Sequence, residues 1–112
     1  MNAKAQTLLW VAQRASAAVL ALCVTVHLVT MVYAIRGGLS AAEILSRTQG
    51  SLGWFAFYSL FVLAVSVHAP IGLRSILLEW LGWRGVWRDV FLAGLGVLLA
   101  VLGMRAVFGV FA

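Results

Sequence analysis

Three long apolar segments dominate this 112-residue chain and leave little room for any other kind of fold. They run from about 8 to 35, 52 to 78 and 86 to 111, and each exceeds the roughly 20 residues that cross the hydrocarbon core as a helix. Charged residues make up only 10% of the chain, too few to cover a water-soluble domain of this size. The sequence therefore predicts an all-α membrane protein with three transmembrane helices in a single domain, residues 1–112.

Glycines and a capping motif mark the connections between these segments. Gly37–Gly38 predicts the end of the first helix, and Gly82 and Gly85 lie in the second connection. In the first connection, residues 40–43 read SAAE, a capping box that opens a short helix on the membrane surface. The third segment carries small residues that allow another helix to approach closely: Gly96, Ala100 and Gly103.

Basic residues predict the orientation of the spans. Cytoplasmic flanks carry an excess of Lys and Arg, and the N-terminal side with the second connection holds more of them than the other side. The N-terminus is therefore predicted to be cytoplasmic, on the same face as a tryptophan cluster typical of an aromatic belt (Trp80, Trp83, Trp87). The two basic sets are Lys4, Arg14, Arg74, Arg84 and Arg88 against Arg36, Arg47 and Arg105.

The chain has only two histidines, His27 and His68, and both lie inside apolar segments. Ionisable residues at membrane depth are costly and usually functional. One interpretation is a neutral imidazole that hydrogen-bonds two helices. The other is axial ligation of haem iron, which also requires a second axial group and a partner for the haem propionates.

The residues around His68 have the spacing that a haem site would need. Gly72 follows His68 by four positions, on nearly the same helical face, where it opens room for a flat macrocycle. Pro70 cannot donate a hydrogen bond to the Ser66 carbonyl and is expected to bend the helix. Arg74 lies roughly 9 Å further along the axis, where it can pair with a propionate.

This segment, HAPIGLRSILLEW, resembles the H-x3-G-x-R-x4-D/E pattern in the second helix of the cytochrome b membrane anchors of succinate dehydrogenase, respiratory complex II. A second motif, QRASA at residues 13–17, is similar to that family's H-R-x-S-G in helix one. Gln13 stands where family members often have histidine, and Trp10 where they often have serine. Arg14 and His68 are 54 positions apart, close to the family's separation, and the resemblance covers essentially the whole chain.

The resemblance implies a membrane anchor, inactive alone, for a flavoprotein and an iron–sulfur subunit that oxidise succinate and pass electrons to quinone. The chain would form half of a haem-binding bundle, completed by a second anchor subunit, in the inner (cytoplasmic) membrane of a bacterium. Haem b, one or two and shared with the partner, would be the cofactor, and quinone the substrate. By this resemblance His68 is an axial haem ligand, and Arg14 and Ser16 lie at or beside the quinone pocket.

His27 and His68 are predicted to lie at different depths. Counted from their shared connection, the difference is about 8 Å at 1.5 Å per residue. One haem needs both axial ligands at a similar depth, so we expect the two histidines to ligate two haems, as in the diheme branch of the family. The partner subunit, or a second copy of this chain, would then supply each haem's other ligand.

Other functions fit parts of the sequence. A diheme fumarate reductase anchor shares these features, and a non-haem membrane assembly subunit would use the histidines only to pack helices. Cytochrome subunits of hydrogenases or formate dehydrogenases normally have more helices and histidines. No nucleophile–base set, carboxylate pair or phosphate loop supports an independent enzyme, and basic residues scattered singly do not form a nucleic-acid-binding stripe.

Overall fold

The computed structural model describes residues 2–38 and 40–112, and the regular secondary structure of these residues is entirely helical. Three of the helices are long and apolar enough to cross a membrane, and the fourth is a short helix between the first two of them. The prediction of an all-α fold with three candidate membrane-spanning helices is confirmed. In chain order the helices are α1 (Ala3–Gly37), α2 (Ala41–Thr48), α3 (Leu52–Leu81) and α4 (Val86–Phe111).

Local capping explains where the long helices begin and end. α1 starts before its apolar segment because the Asn2 side chain accepts a hydrogen bond from the Ala5 N–H at 2.8 Å. α3 continues past its predicted end to Gly82, which adopts a left-handed conformation with φ 62°. The Gly82 N–H donates to the Leu78 carbonyl at 3.1 Å, which satisfies one of the orphan acceptors at the helix end.

The short helix α2 forms where the capping motif predicts it. The Ser40 side chain accepts from the Glu43 N–H at 3.1 Å, as expected of an N-cap. At the other end of α2, the Thr48 hydroxyl donates to the Val110 carbonyl at 2.9 Å. The connection after α2 is therefore fastened to the C-terminal end of α4, and this side of the molecule is called the α2 end below.

α3 is the central helix of the fold, since it packs against both α1 and α4 while α1 and α4 make little contact. The small-residue face of α4 lies against α3: a Cβ at Gly103 would come 2.6 Å from Cγ1 of Val62. A Cβ at Gly96 would come 3.2 Å from the Ser66 carbonyl, the group that Pro70 leaves without its usual helical donor. The predicted close approach of another helix is thus made within the chain, by α3.

Few side chains are buried by this packing. Most large apolar side chains of the three long helices remain exposed, for example Leu22 at 68% and Leu52 at 74%. In a bilayer such faces contact lipid or other subunits at no hydrophobic cost. The buried apolar residues among those described are Cys23, Ala34, Ala64, Leu92 and Val107.

Candidate functional sites around the two histidines

His68 is held from α1 by a serine. The Ser16 hydroxyl lies 3.3 Å from Nδ1 of His68, and it also donates to the Gln13 carbonyl at 3.1 Å. A hydroxyl has one proton, so a hydroxyl that donates to Gln13 accepts from the imidazole. This pairing favours the tautomer with the proton on Nδ1, which leaves the lone pair of Nε2 available to a metal.

The space beside Gly72 is used by an amide of α1. A Cβ at Gly72 would come 3.2 Å from Nε2 of Gln13. Within this chain the glycine therefore makes room for the Gln13 side chain, whereas the sequence predicted that it makes room for a macrocycle. The Oε1 atom of Gln13 is buried and has no hydrogen-bond partner. Buried amide oxygens are rarely left unpaired, and the described chain offers this oxygen no hydrogen-bond donor.

Arg74 lies on a different side of α3 from His68. It lines a cavity of about 520 Å³, together with Ser66, Pro70 and Asp89, and His68 is not part of this lining. Six residues along a helix correspond to roughly 120° of net rotation, which the axial spacing alone does not reveal. The structure therefore does not bring Arg74 to the imidazole, and its role as propionate partner stays a prediction.

Arg14 and Ser16 point in nearly opposite directions. Ser16 is buried against His68, whereas Arg14 is exposed, with its guanidinium 5.2 Å from the centroid of the Trp10 ring. Residues two positions apart on a helix are separated by about 200°, so the sequence spacing already contained this result. The pairing of Arg14 with Trp10, one turn earlier, was missed at the level of sequence.

His27 lies between aromatic side chains of α3. Its ring meets those of Tyr58 and Phe61 edge-on, with centroid distances of 6.0 and 5.7 Å. Nδ1 of His27 is buried and has no hydrogen-bond partner, in contrast to Nδ1 of His68. The imidazole therefore presents a polar atom that nothing in the described part of the chain satisfies.

The two histidines lie at clearly different levels of the bundle. Tyr58 and Phe61, which contact His27, precede His68 on α3 by about 15 and 10 Å of helix, and His27 follows Ser16 on α1 by about 16 Å. The depth difference expected from the sequence was smaller, because it assumed that α1 ends and α3 begins at the same depth in the membrane. One flat ring therefore cannot take both imidazoles of the same chain as its axial ligands.

Two cavities meet at His27, near the α2 end. The larger, about 600 Å³, continues between α3 and α4 along apolar side chains, and the smaller, about 240 Å³, also includes Arg47 and Trp54. These volumes approach or fall within the range of small-molecule sites. Sequence reasoning missed this site because its members come from all four helices at unrelated spacings. Both cavities are lined by His27, Ile44, Thr48 and Tyr58.

The tryptophan-rich connection before α4 contains one buried charge. Arg88 is 5% exposed, and its guanidinium donates to Oδ1 of Asp89 at 3.0 Å and to the Trp83 carbonyl at 3.3 Å. Trp80 and Trp87 remain largely exposed. Arg88 thus fixes the start of α4, while the exposed indoles are available to a membrane interface or to another subunit.

No group of three or more His, Cys, Asp or Glu side chains in the described part of the chain could hold a metal ion by itself. The family model for the succinate dehydrogenase/fumarate reductase transmembrane subunit matches residues 1–104, whereas no curated protein and no solved structure matches the chain. The match covers α1, α2, α3 and most of α4. The chain therefore belongs to the family of transmembrane subunits of succinate dehydrogenase and fumarate reductase.

Proposed function

We propose that this subunit binds haem b through His68 and helps to pass electrons from an iron–sulfur subunit to quinone in a succinate:quinone oxidoreductase. The observation that carries the proposal is the pairing of His68 Nδ1 with the buried Ser16 hydroxyl. Histidines that ligate metals almost always hold their second ring nitrogen in such a bond, which fixes the tautomer and the ring plane. Packing alone would gain roughly 0.6 kcal/mol from this contact.

The residues near His68 suit a haem that is shared with a partner. His68 would provide one axial ligand, and a second anchor subunit would provide the other. The unpaired Oε1 of Gln13 is a further polar atom at this level, so it would accept a donor from outside the chain. Arg74 would pair with a propionate. Haem b, when bound, supplies a one-electron carrier between the iron–sulfur subunit and quinone.

Arg14 is the residue that we assign to quinone. Its guanidinium is exposed on α1, at the end of the helix that the basic flanks predict to be cytoplasmic, and it is oriented by the Trp10 ring. A cation at this position stabilises negative charge that develops on a quinone oxygen during reduction. Ser16 stays a prediction as a neighbour of this pocket, but its hydroxyl already bonds Gln13 and His68, so its main task is to orient the imidazole.

The wider setting follows from the same proposal. The partners would be a second membrane anchor, an iron–sulfur subunit and a flavoprotein, in the inner membrane of a bacterium with the N-terminus in the cytoplasm. His27 would ligate a second haem nearer the outer surface, because His27 lies at a different depth in the membrane and cannot bind the same haem as His68. The diheme fumarate reductase anchor is the second candidate function, because two imidazoles at different depths suit a diheme anchor for either direction of the reaction.

The test is the haem content of the whole purified complex. Wild-type complex is expected to show the absorbance of reduced b-type haem, and His68→Ala is expected to lose at least one haem per flavin. Succinate oxidation by an artificial acceptor, which needs only the soluble subunits, shows whether these subunits are still present in the purified complex. A wild-type complex without the absorbance of reduced b-type haem would show that the histidines only pack helices. An unchanged haem-to-flavin ratio in His68→Ala would show that His68 is not a haem ligand.

A further inference from the structure

We infer that Arg47 holds the carboxylates of the ligand that occupies the cavities at His27. The inference rests on the proposed function, in which that ligand is the second haem. Arg47 belongs to the short helix α2, which was predicted only as a helix on the membrane surface.

The interior of this site suits a flat, mostly apolar ligand. The walls of the larger cavity are aliphatic over most of their length, including Val65, Leu99 and Leu102. Tyr58 and Phe61 flank the His27 ring and limit its rotation. The unpartnered Nδ1 of His27 shows that the imidazole is not already engaged by the chain through that atom.

Arg47 supplies a positive charge to the smaller of the two cavities that His27 lines. It lines the smaller cavity together with His27 and Tyr58, and its guanidinium lies 4.9 Å from the centroid of the Tyr33 ring. Of the three arginines predicted on this side of the membrane, Arg36 and Arg105 are exposed and line neither cavity. Arg47 is therefore the cation that a ligand at His27 can reach.

The position of Arg47 is fixed by both ends of α2. Ser40 caps the start of the helix, and the Thr48 hydroxyl, next to Arg47, is bonded to the Val110 carbonyl of α4. A preorganised cation loses less side-chain entropy when it binds a carboxylate. Carboxylates buried at a membrane edge need such a partner, because an unpaired charge is costly to remove from water.

The experiment is a redox titration of the intact complex, followed by haem absorbance. Arg47→Gln removes a positive charge near the haem at His27. Because that charge stabilises the reduced haem, its removal favours the oxidised form, and we expect this haem to titrate at a lower midpoint potential. A tenfold change in the reduction equilibrium corresponds to about 59 mV, and we expect a shift of at least about this size. The haem at His68 should keep its midpoint. Arg47→Lys keeps the charge and should titrate close to wild type.

Arg36→Gln and Arg105→Gln are matched controls that remove the same charge on the same side but outside the cavities. They should leave both midpoints within a few millivolts of wild type. Equal shifts in all three variants, or no shift in Arg47→Gln, would overturn the assignment. If instead His27→Ala leaves the haem content unchanged, the second haem itself is absent, and the proposed function fails at this site independently of Arg47.

Discussion

The Ser16 hydroxyl of α1 lies 3.3 Å from Nδ1 of His68 on α3, and this contact joins the two motifs that the sequence places 52 positions apart. Its consequence is chemical as well as structural. A hydroxyl proton donated to the Gln13 carbonyl favours the tautomer with the imidazole proton on Nδ1 and the lone pair on Nε2. The contact therefore leaves Nε2 as the ring nitrogen that the proposed haem would use.

Ser16→Ala is expected to weaken haem binding at His68 without preventing assembly. Loss of an outer-shell partner typically lowers metal affinity by about 10- to 100-fold, because the ligand is no longer held in one tautomer and one plane. The measurement is haem per flavin in the purified complex, together with the midpoint of the remaining haem. Ser16→Thr keeps the hydroxyl and should retain the haem.

Ser59→Ala is the control for this variant. Ser59 lies on the same apolar helix as His68, and its buried hydroxyl oxygen has no hydrogen-bond partner. Its removal therefore leaves no group unsatisfied and should not change haem content. Equal haem loss in Ser16→Ala and Ser59→Ala would mean that general packing, and not the orientation of His68, determines binding.

Arg14→Ala is expected to reduce quinone reduction far more than succinate oxidation by an artificial acceptor. The exposed guanidinium of Arg14 contacts only the Trp10 ring among the interactions seen in the described chain, so its removal should not disturb the helix packing. Steady-state assays with the two acceptors separate the effects, and Ser16→Ala should act in the same direction, more weakly. Arg105→Ala, on the opposite side of the membrane, serves as the control, and a parallel loss of both activities in Arg14→Ala would indicate an assembly defect.

The sequence predicted the spans well because their signals are local. Each signal lies within one helix or one turn. A run of twenty or more apolar residues predicts a span, a glycine after the last turn predicts a helix end, and a serine three residues before a glutamate predicts a helix start. The helix from 86 to 111 has the predicted bounds, and Ser40 caps α2 as expected. The first turn of α1 and the last turn of α3 lay outside the predicted limits, because polar residues there interrupt the apolar runs.

The candidate sites were less predictable, because they depend on rotation about the helix axis and on helix pairing. Axial rise suggested that Arg74 could accompany His68, but about 120° of rotation places Arg74 at a cavity that His68 does not line. Arg14 and Ser16 were assigned to one pocket because the family motif that they resemble contains both, although the two side chains point apart. Both cavities at His27 combine α1, α2 and α3, the larger one also includes α4, and no single-helix pattern indicates such a combination.

Gly103→Ala is expected to destabilise the subunit through the α3–α4 contact. The added Cβ would lie 2.6 and 2.9 Å from the two γ carbons of Val62, and a β-branched side chain has little freedom to move away. Overpacking of this kind costs about 1–3 kcal/mol. Thermal inactivation of the purified complex measures the effect, and Val62→Ala combined with Gly103→Ala should recover part of the loss.

Gly94→Ala is the matched control on the same helix, since nothing lies within 4 Å of a Cβ at Gly94. It should be neutral or slightly stabilising, as alanine favours a helix over glycine. If Gly103→Ala were as stable as Gly94→Ala, α4 would have to sit further from α3 in the assembled complex than it does here.

His27→Ala and His68→Ala are expected to remove different haems. The imidazoles lie roughly 10–16 Å apart along the helices. Two haems at two depths are therefore needed if both imidazoles are axial ligands. A redox titration of the wild-type complex should therefore show two one-electron transitions, with each variant lacking one of them. His27 has no bonded serine comparable to Ser16, so its haem should be the more easily lost during purification. A single wild-type transition that persists in His27→Ala would reduce His27 to a packing residue between Tyr58 and Phe61, and the subunit would belong to the one-haem branch of its family.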